Sequence, residues 1–245
     1  MTWVGEIIEV VKGIGQFHKW YRSRRNPPVE SLPARFVRLF ESHGVHRNQI
    51  PRFIGHGLAL KDMEDDASLL AKLDETLLEF VCERFAVRRE WLDGAESRIH
   101  HCHDFYKSTE AFANFIAKLK SDNPTGGLCG VLIAPVEAGV DAVGLLILQE
   151  TVNLNGDKSI YRFHFCGDWA FTYWKARAYL AACMAIAWKQ QVFVHGIYMP
   201  KKKIARFSRG KHAVKLAGPW YLGAWSQSVE PGGYGAPARG ISKGH

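Results

Sequence analysis

The sequence predicts a multi-domain fold: an all-α part of five short helices, then an α+β part with an antiparallel sheet of about four strands. Three observations carry this. Over residues 31–94 apolar side chains recur at helical spacing in short runs, each closed by glycine or a charged turn. Residues 105–199 read as α-β-β-β-α-β, with strand-like runs separated by turn residues. Between the two parts lies "RIHHCHDFY" (98–106), which follows neither period.

Along the chain, Ile7, Ile8, Val11 and Ile14 suggest a helix in residues 2–25, weakened by Gly5, Gly13 and Gly15. Pro27 and Pro28 end it after the basic "RSRR". Residues 1–30 are therefore expected to be an N-terminal helix and basic linker.

In "SLPARFVRLFESHGV", Ser31 is a candidate cap, Phe36, Leu39 and Phe40 form the inner stripe, and Gly44 stops the helix. "HRNQIPRFIG" gives a shorter second helix and "LALKDMEDDASLLAKL" a third. "DETLLEFVCERFAV" is the fourth, with Asp74 as cap and Leu77, Phe80, Val81 and Phe85 on one face. "RREWLDG" adds a last turn that buries Trp91 and Leu92. This part is bounded at 31–99, with a hinge at 100–107.

"STEAFANFIAKLK" (108–120) reopens helical spacing. Strands are expected at Leu128–Val136, Val143–Asn153 and Ser159–Phe165, the last two joined by a hairpin through Asn155-Gly156. An apolar helix over 168–190 and a strand at 192–199 complete an α+β domain of residues 108–218, which carries a basic C-terminal extension. The Gly/Pro-rich residues 219–245 are expected to be a flexible tail.

Composition limits the function classes. The chain has 245 residues, enough for a substantial core. Its five cysteines are scattered, with no CxxC and no secretory leader, which suits reduced thiols in a cytoplasmic protein. "WAFTYWKARAYLAACMAIAW" (169–188) has the length of a membrane span. However, Lys175 and Arg177 would each cost about 2.5–3.5 kcal/mol near a span's centre. The uninterrupted apolar run is only Ala178–Trp188, so a core helix is expected and no membrane. The formal net charge of +8 equals that of residues 200–245, where nine Lys or Arg face one acidic residue. Such a tail suits a polyanion, nucleic acid above all.

The helix order in 31–94, carried by "ARFVRLFESHGV", "NQIPRFIGHGLALKDMEDD" and "DETLLEFVCERFAVRREWLDG", is similar to a Cro/repressor-type (lambda-repressor-like) helix-turn-helix domain. The resemblance implies that Arg47, Asn48 and Gln49 open the supporting helix and that Leu58–Asp66, with Lys61, forms the reading helix in the major groove. The sequence departs from the pattern there. Asp62, Glu64, Asp65 and Asp66 outnumber Lys61, and DNA phosphates repel carboxylates. The acidic third helix could instead meet a protein partner.

Candidate DNA-binding residues are therefore Arg47, Asn48, Gln49 and Lys61, with Lys201, Lys202, Lys203, Arg206, Arg209 and Lys211 from the basic stretch, where Phe207 could stack. Trp169, Tyr173 and Trp174 are candidates for a small-molecule pocket. His100, His103 and Asp104 would share one face of a helix, and His164, Cys166 and His195 lie on strands. Either set is conceivable for a metal, but a polar hinge and ordinary strand histidines explain them as well. No GxSxG, HExxH, GxxxxGK[ST] or zinc-deaminase frame occurs, so no catalytic residue, metal or cofactor is assigned.

The expected function is a DNA-associated regulatory protein that acts as a homodimer, its second domain serving dimerisation or ligand sensing. The alternatives are an adaptor whose helix-turn-helix domain no longer reads DNA, and a motif-poor enzyme with an aromatic pocket.

Overall fold

The computed structural model describes residues 30–137, 139, 142–154 and 158–208, without the side chains of residues 168 and 206–208. The expected N-terminal helix, the expected turn at Asn155-Gly156, and the tail with Arg209 and Lys211 lie outside these residues.

The helical part opens with α1 (Leu32–Ser42), capped by Ser31, whose Oγ accepts from the Ala34 amide at 3.3 Å. Gly44 turns the chain at φ +70°. A 3-10 turn (Arg47–Gln49) leads into α2 (Ile50–Ile54). A second 3-10 turn (Leu60–Met63) and α3 (Asp66–Leu70) follow, then α4 (Glu75–Phe85) and α5 (Arg89–Leu92).

The sixteen-residue third helix expected from "LALKDMEDDASLLAKL" is two short pieces. Gly55, His56 and Gly57 all hold positive φ, which breaks the chain after α2. Asp62 and Asp65 then act as caps: Asp62 accepts from the Ala59 amide and Asp65 from the Ser68 amide.

The second part is built on one mixed sheet. Its strands are β1 (Cys102–His103), β2 (Leu128–Pro135), β3 (Val143–Asn153), β4 (Ser159–Ala170) and β5 (Phe193–Met199), in the order β1-β4-β3-β2-β5. The β2-β3-β4 meander is antiparallel, but β1 pairs parallel with β4 and β5 parallel with β2. The expectation of an all-α five-helix domain followed by an antiparallel sheet is corrected on this point. The physical reason is connectivity. Helix α6 (Thr109–Asp122) joins β1 to β2, and α7 (Trp174–Lys189) joins β4 to β5. A helix between two strands of one sheet returns the chain in a parallel direction. A last helix, α8 (Lys201–Ser208), follows β5.

Alternation along the strands sends the two side-chain sets to opposite faces. Val131, Ile133, Leu145, Ile147, Phe163 and Phe165 join one core with Phe36, Phe40, Leu77, Val81, Phe85 and Trp91 of the helical part. Ile204 of α8 packs on the same face. Leu146, Leu148, Cys166 and Trp169 face the other way, onto Phe112 and Ile116 of α6 and Leu180 and Cys183 of α7. The result is three layers, with β3 buried along most of its length and a core continuous from the helical part into the sheet.

Helix α7 starts at Trp174 rather than at 168, because β4 runs on to Ala170. Among the described residues no helix is long and apolar enough to cross a membrane.

Candidate functional site, a cleft beside the edge of the sheet

Strand β1 covers β4 only at Phe165 and Cys166, so the earlier part of β4 meets the helical layer at an open seam. A cleft of about 890 Å³ lies there. Its walls are Glu79 and Glu83 of α4, Arg89 and Glu90 of α5, His101 and His103, and Phe115, Lys118 and Asp122 of α6. Arg162, Phe163 and His164 of β4 line it too.

Beneath this lining sits Glu150, whose side chain is only 2% exposed. β3 and β4 run in a register that sets Glu150 opposite Arg162. Glu150 Oε2 accepts from Arg162 Nε at 2.9 Å and Nη2 at 2.6 Å, and lies 3.1 Å from His164 Nε2. Its Oε1 accepts from Asn123 Nδ2 at 3.0 Å, and the same amide donates to the Thr151 carbonyl at 2.8 Å. Burial pushes the Glu150 carboxyl upward in pKa. The bond from His164, the charge of Arg162 and the Asn123 amide outweigh it and hold the group below the ordinary glutamate value. A buried carboxylate is tolerable only with such partners.

Glu150 thus orients His164. The contact of Nε2 with the carboxylate fixes the His164 ring, and His164 itself lines the cleft. His103 stands nearby, its ring 6.4 Å from that of His164 and 4.5 Å from that of Phe115. Burial, then the nearby charges of His164 and His101, push His103 down to about 4, so it is neutral at physiological pH. Two imidazoles over an ordered carboxylate can accept and donate hydrogen bonds and relay a proton.

The motif "RIHHCHDFY" is thereby divided. His100 turns to the opposite side, stacked on Phe165 at 5.2 Å with its Nδ1 3.2 Å from the Ala86 carbonyl. Burial pushes His100 to about 4 as well. His103 faces the cleft, and Asp104 caps the next turn by accepting from the Tyr106 amide. The segment is extended, so the helical face that would have gathered His100, His103 and Asp104 does not form. His195 is exposed on β5, at the sheet edge opposite β1, far from His164 and Cys166. Among the described residues no group of three His, Cys, Asp or Glu is placed to hold a metal ion.

The other sequence candidates scatter. Arg47 is engaged within the fold: Nε donates to the Met63 carbonyl at 2.7 Å and Nη1 to Asp66 at 2.8 Å. Gln49 accepts from the His46 amide, while Asn48 and Lys61 are exposed. Lys201, Lys202 and Lys203 are exposed on α8. Trp169 is buried, its Nε1 donating to the Cys166 carbonyl, whereas Tyr173 and Trp174 are exposed. These three rings do not converge on one pocket.

Sequence reasoning missed Glu150, Arg162 and Asn123. A partial signal existed: Glu150 and Arg162 are opposite charges on two strand candidates joined by the Asn155-Gly156 turn, although counting outward from a two-residue turn sets Glu150 opposite Tyr161, one residue short of its partner. Comparison with protein-family models, curated proteins and solved structures gave no match for this chain.

Proposed function

We propose that this protein binds a small polar ligand in the cleft between the helical layer and β4, with His103 and the Glu150-oriented His164 as its hydrogen-bonding and proton-relaying groups. The observation that carries the reading is the buried Glu150 carboxylate. It is held by Asn123, Arg162 and His164 directly beneath a cleft of about 890 Å³. A volume of that size accommodates a drug-sized molecule, and a few convergent polar groups on partly apolar walls are what a ligand site requires. The cleft lies where the helical part meets the sheet, so an occupant touches both. This extends the expected ligand-sensing role to a different set of residues from Trp169, Tyr173 and Trp174.

The test is a ligand-observed NMR screen of small polar fragments on the full chain, repeated on His103→Ala and His164→Ala. The expected result is fragments that bind the wild-type protein and lose at least tenfold in affinity on both variants, about 1.4 kcal/mol. Fragments that bind all three proteins equally would place the site elsewhere.

A second reading, association with DNA or another polyanion in a regulatory role, is favoured by one observation. Lys201, Lys202 and Lys203 are exposed side by side on α8, which packs on the sheet face that also carries the helical part. Affinity for duplex DNA should then fall steeply with salt, and replacing the three lysines by glutamine should flatten that slope by up to about three. No retardation at low salt would end this reading.

A further inference from the structure

Helix α7 presents an apolar face that its own fold leaves uncovered among the described residues. Its inner side buries Ala176, Leu180, Cys183 and Ala187. On the outer side Trp174 and Trp188 are 63% and 68% exposed. Between them Ala178, Ala181, Ala182 and Ala185 are also exposed. Trp174, Ala178, Ala181, Ala185 and Trp188 follow one another at steps of four, three, four and three, the seam of a coiled-coil pair. Phe193, 56% exposed at the start of β5, extends the patch, its ring edge-on to Trp188 at 5.4 Å. Exposed aromatic rings in such a cluster mark an interaction surface more often than chance.

We infer that a second copy of this chain covers this face, with the two α7 helices antiparallel about a two-fold axis between Ala181 and Ala182. The pattern itself names the occupant. It reads the same in both directions to within half a residue, so an antiparallel copy sets Trp174 against Trp188 and Ala178 against Ala185. A two-fold interface requires this self-complementarity. The alanines let the helix backbones approach, while the tryptophans close the two ends, roughly 21 Å apart at 1.5 Å per residue. The charges on α7 do not oppose the arrangement. Arg177 is tied back to the Phe171 carbonyl, Lys175 lies over its own Trp174, and Lys189 falls beside the ring of the second copy's Trp174.

The area suffices. At roughly 150–250 Å² per aromatic side chain, Trp174, Trp188 and Phe193 offer roughly 400 Å² per protomer, and the alanine stripe brings two copies to about the 1,000 Å² of a specific interface.

The test is light scattering on the full chain across a concentration series, with Ala181→Arg and Ala181→Cys as variants. The wild type should pass from 27.6 kDa towards twice that mass as concentration rises. Ala181→Arg sets two like charges at the axis on an exposed position, and should stay monomeric with an unchanged circular dichroism spectrum. Ala181→Cys should form a covalent dimer with a short bifunctional maleimide, above the background set by the native thiols. Mass that stays at 27.6 kDa throughout, whether another segment or another protein covers the face, overturns the inference. So does a dimer that Ala181→Arg leaves intact.

Discussion

At the scale of single residues, the histidines of "RIHHCHDFY" tie the fold to pH. His100 and His103 are each pushed down to about 4, chiefly by burial. An unfolded histidine takes up its proton near 6.5. Between these values the unfolded chain binds more protons than the folded one, so stability falls with falling pH. The contribution of the neutral imidazoles is complete above about pH 6.5 and is lost progressively as pH falls through about 4. Urea unfolding at pH 7, 5.5 and 4.5 should show this decline. The slope should be shallower in His103→Gln, whose side chain carries no titrating proton. Equal slopes in both proteins would mean that His103 is solvated. Glu150 adds to the same trend at lower pH. Its carboxyl is held down in the fold, so its stabilising contribution is lost as pH falls through that depressed value. Glu150→Ala leaves Arg162 and His164 without their acceptor and should cost about 3 kcal/mol in the same measurement.

At the scale of elements, the loop between α6 and β2 decides whether the network exists. Asn123 ends α6 and reaches both Glu150 and the Thr151 carbonyl. Gly126 sits against that amide: an added Cβ would stand inside contact distance of Asn123 Nδ2 and the Thr151 carbonyl. Gly126→Ala should therefore displace Asn123, leave Glu150 short of a donor, and destabilise the fold by about 1–3 kcal/mol in urea unfolding. An unchanged midpoint would show that the loop yields freely. Much at this scale was legible in the sequence. Caps at Ser31 and Asp74, the inner stripes of α1 and α4, and the alternation along β2 to β4 follow from local chemistry. What local chemistry does not carry is pairing between distant segments. Cys102–His103 is a strand only because β4 lies beside it, and no period of two can be read from two residues. The acidic run at Asp62–Asp66 read as a helix facing DNA, yet Asp62 and Asp65 are spent on caps and Asp66 on Arg47.

At the scale of the whole molecule, the helical part and the sheet share one core, from Phe36 and Phe85 to Ile147 and Phe165. The cleft is a consequence of that union, since α4 and α5 supply one wall and β4 with α6 the other. The polar network lies wholly in the sheet part, but the wall opposite it comes from the helical part, so the cleft itself could not be read from either half alone. The proposed site depends on His103 being a neutral imidazole in an accessible cleft beside a carboxylate-held His164. Histidine-selective ¹H–¹⁵N NMR on the full chain, titrated with acid and then repeated with the strongest-binding fragment, tests this most directly. His103 should stay neutral until about pH 4, and the fragment should shift His103 and His164 but not the exposed His195. A His103 that titrates near 6.5 and ignores every fragment would contradict it.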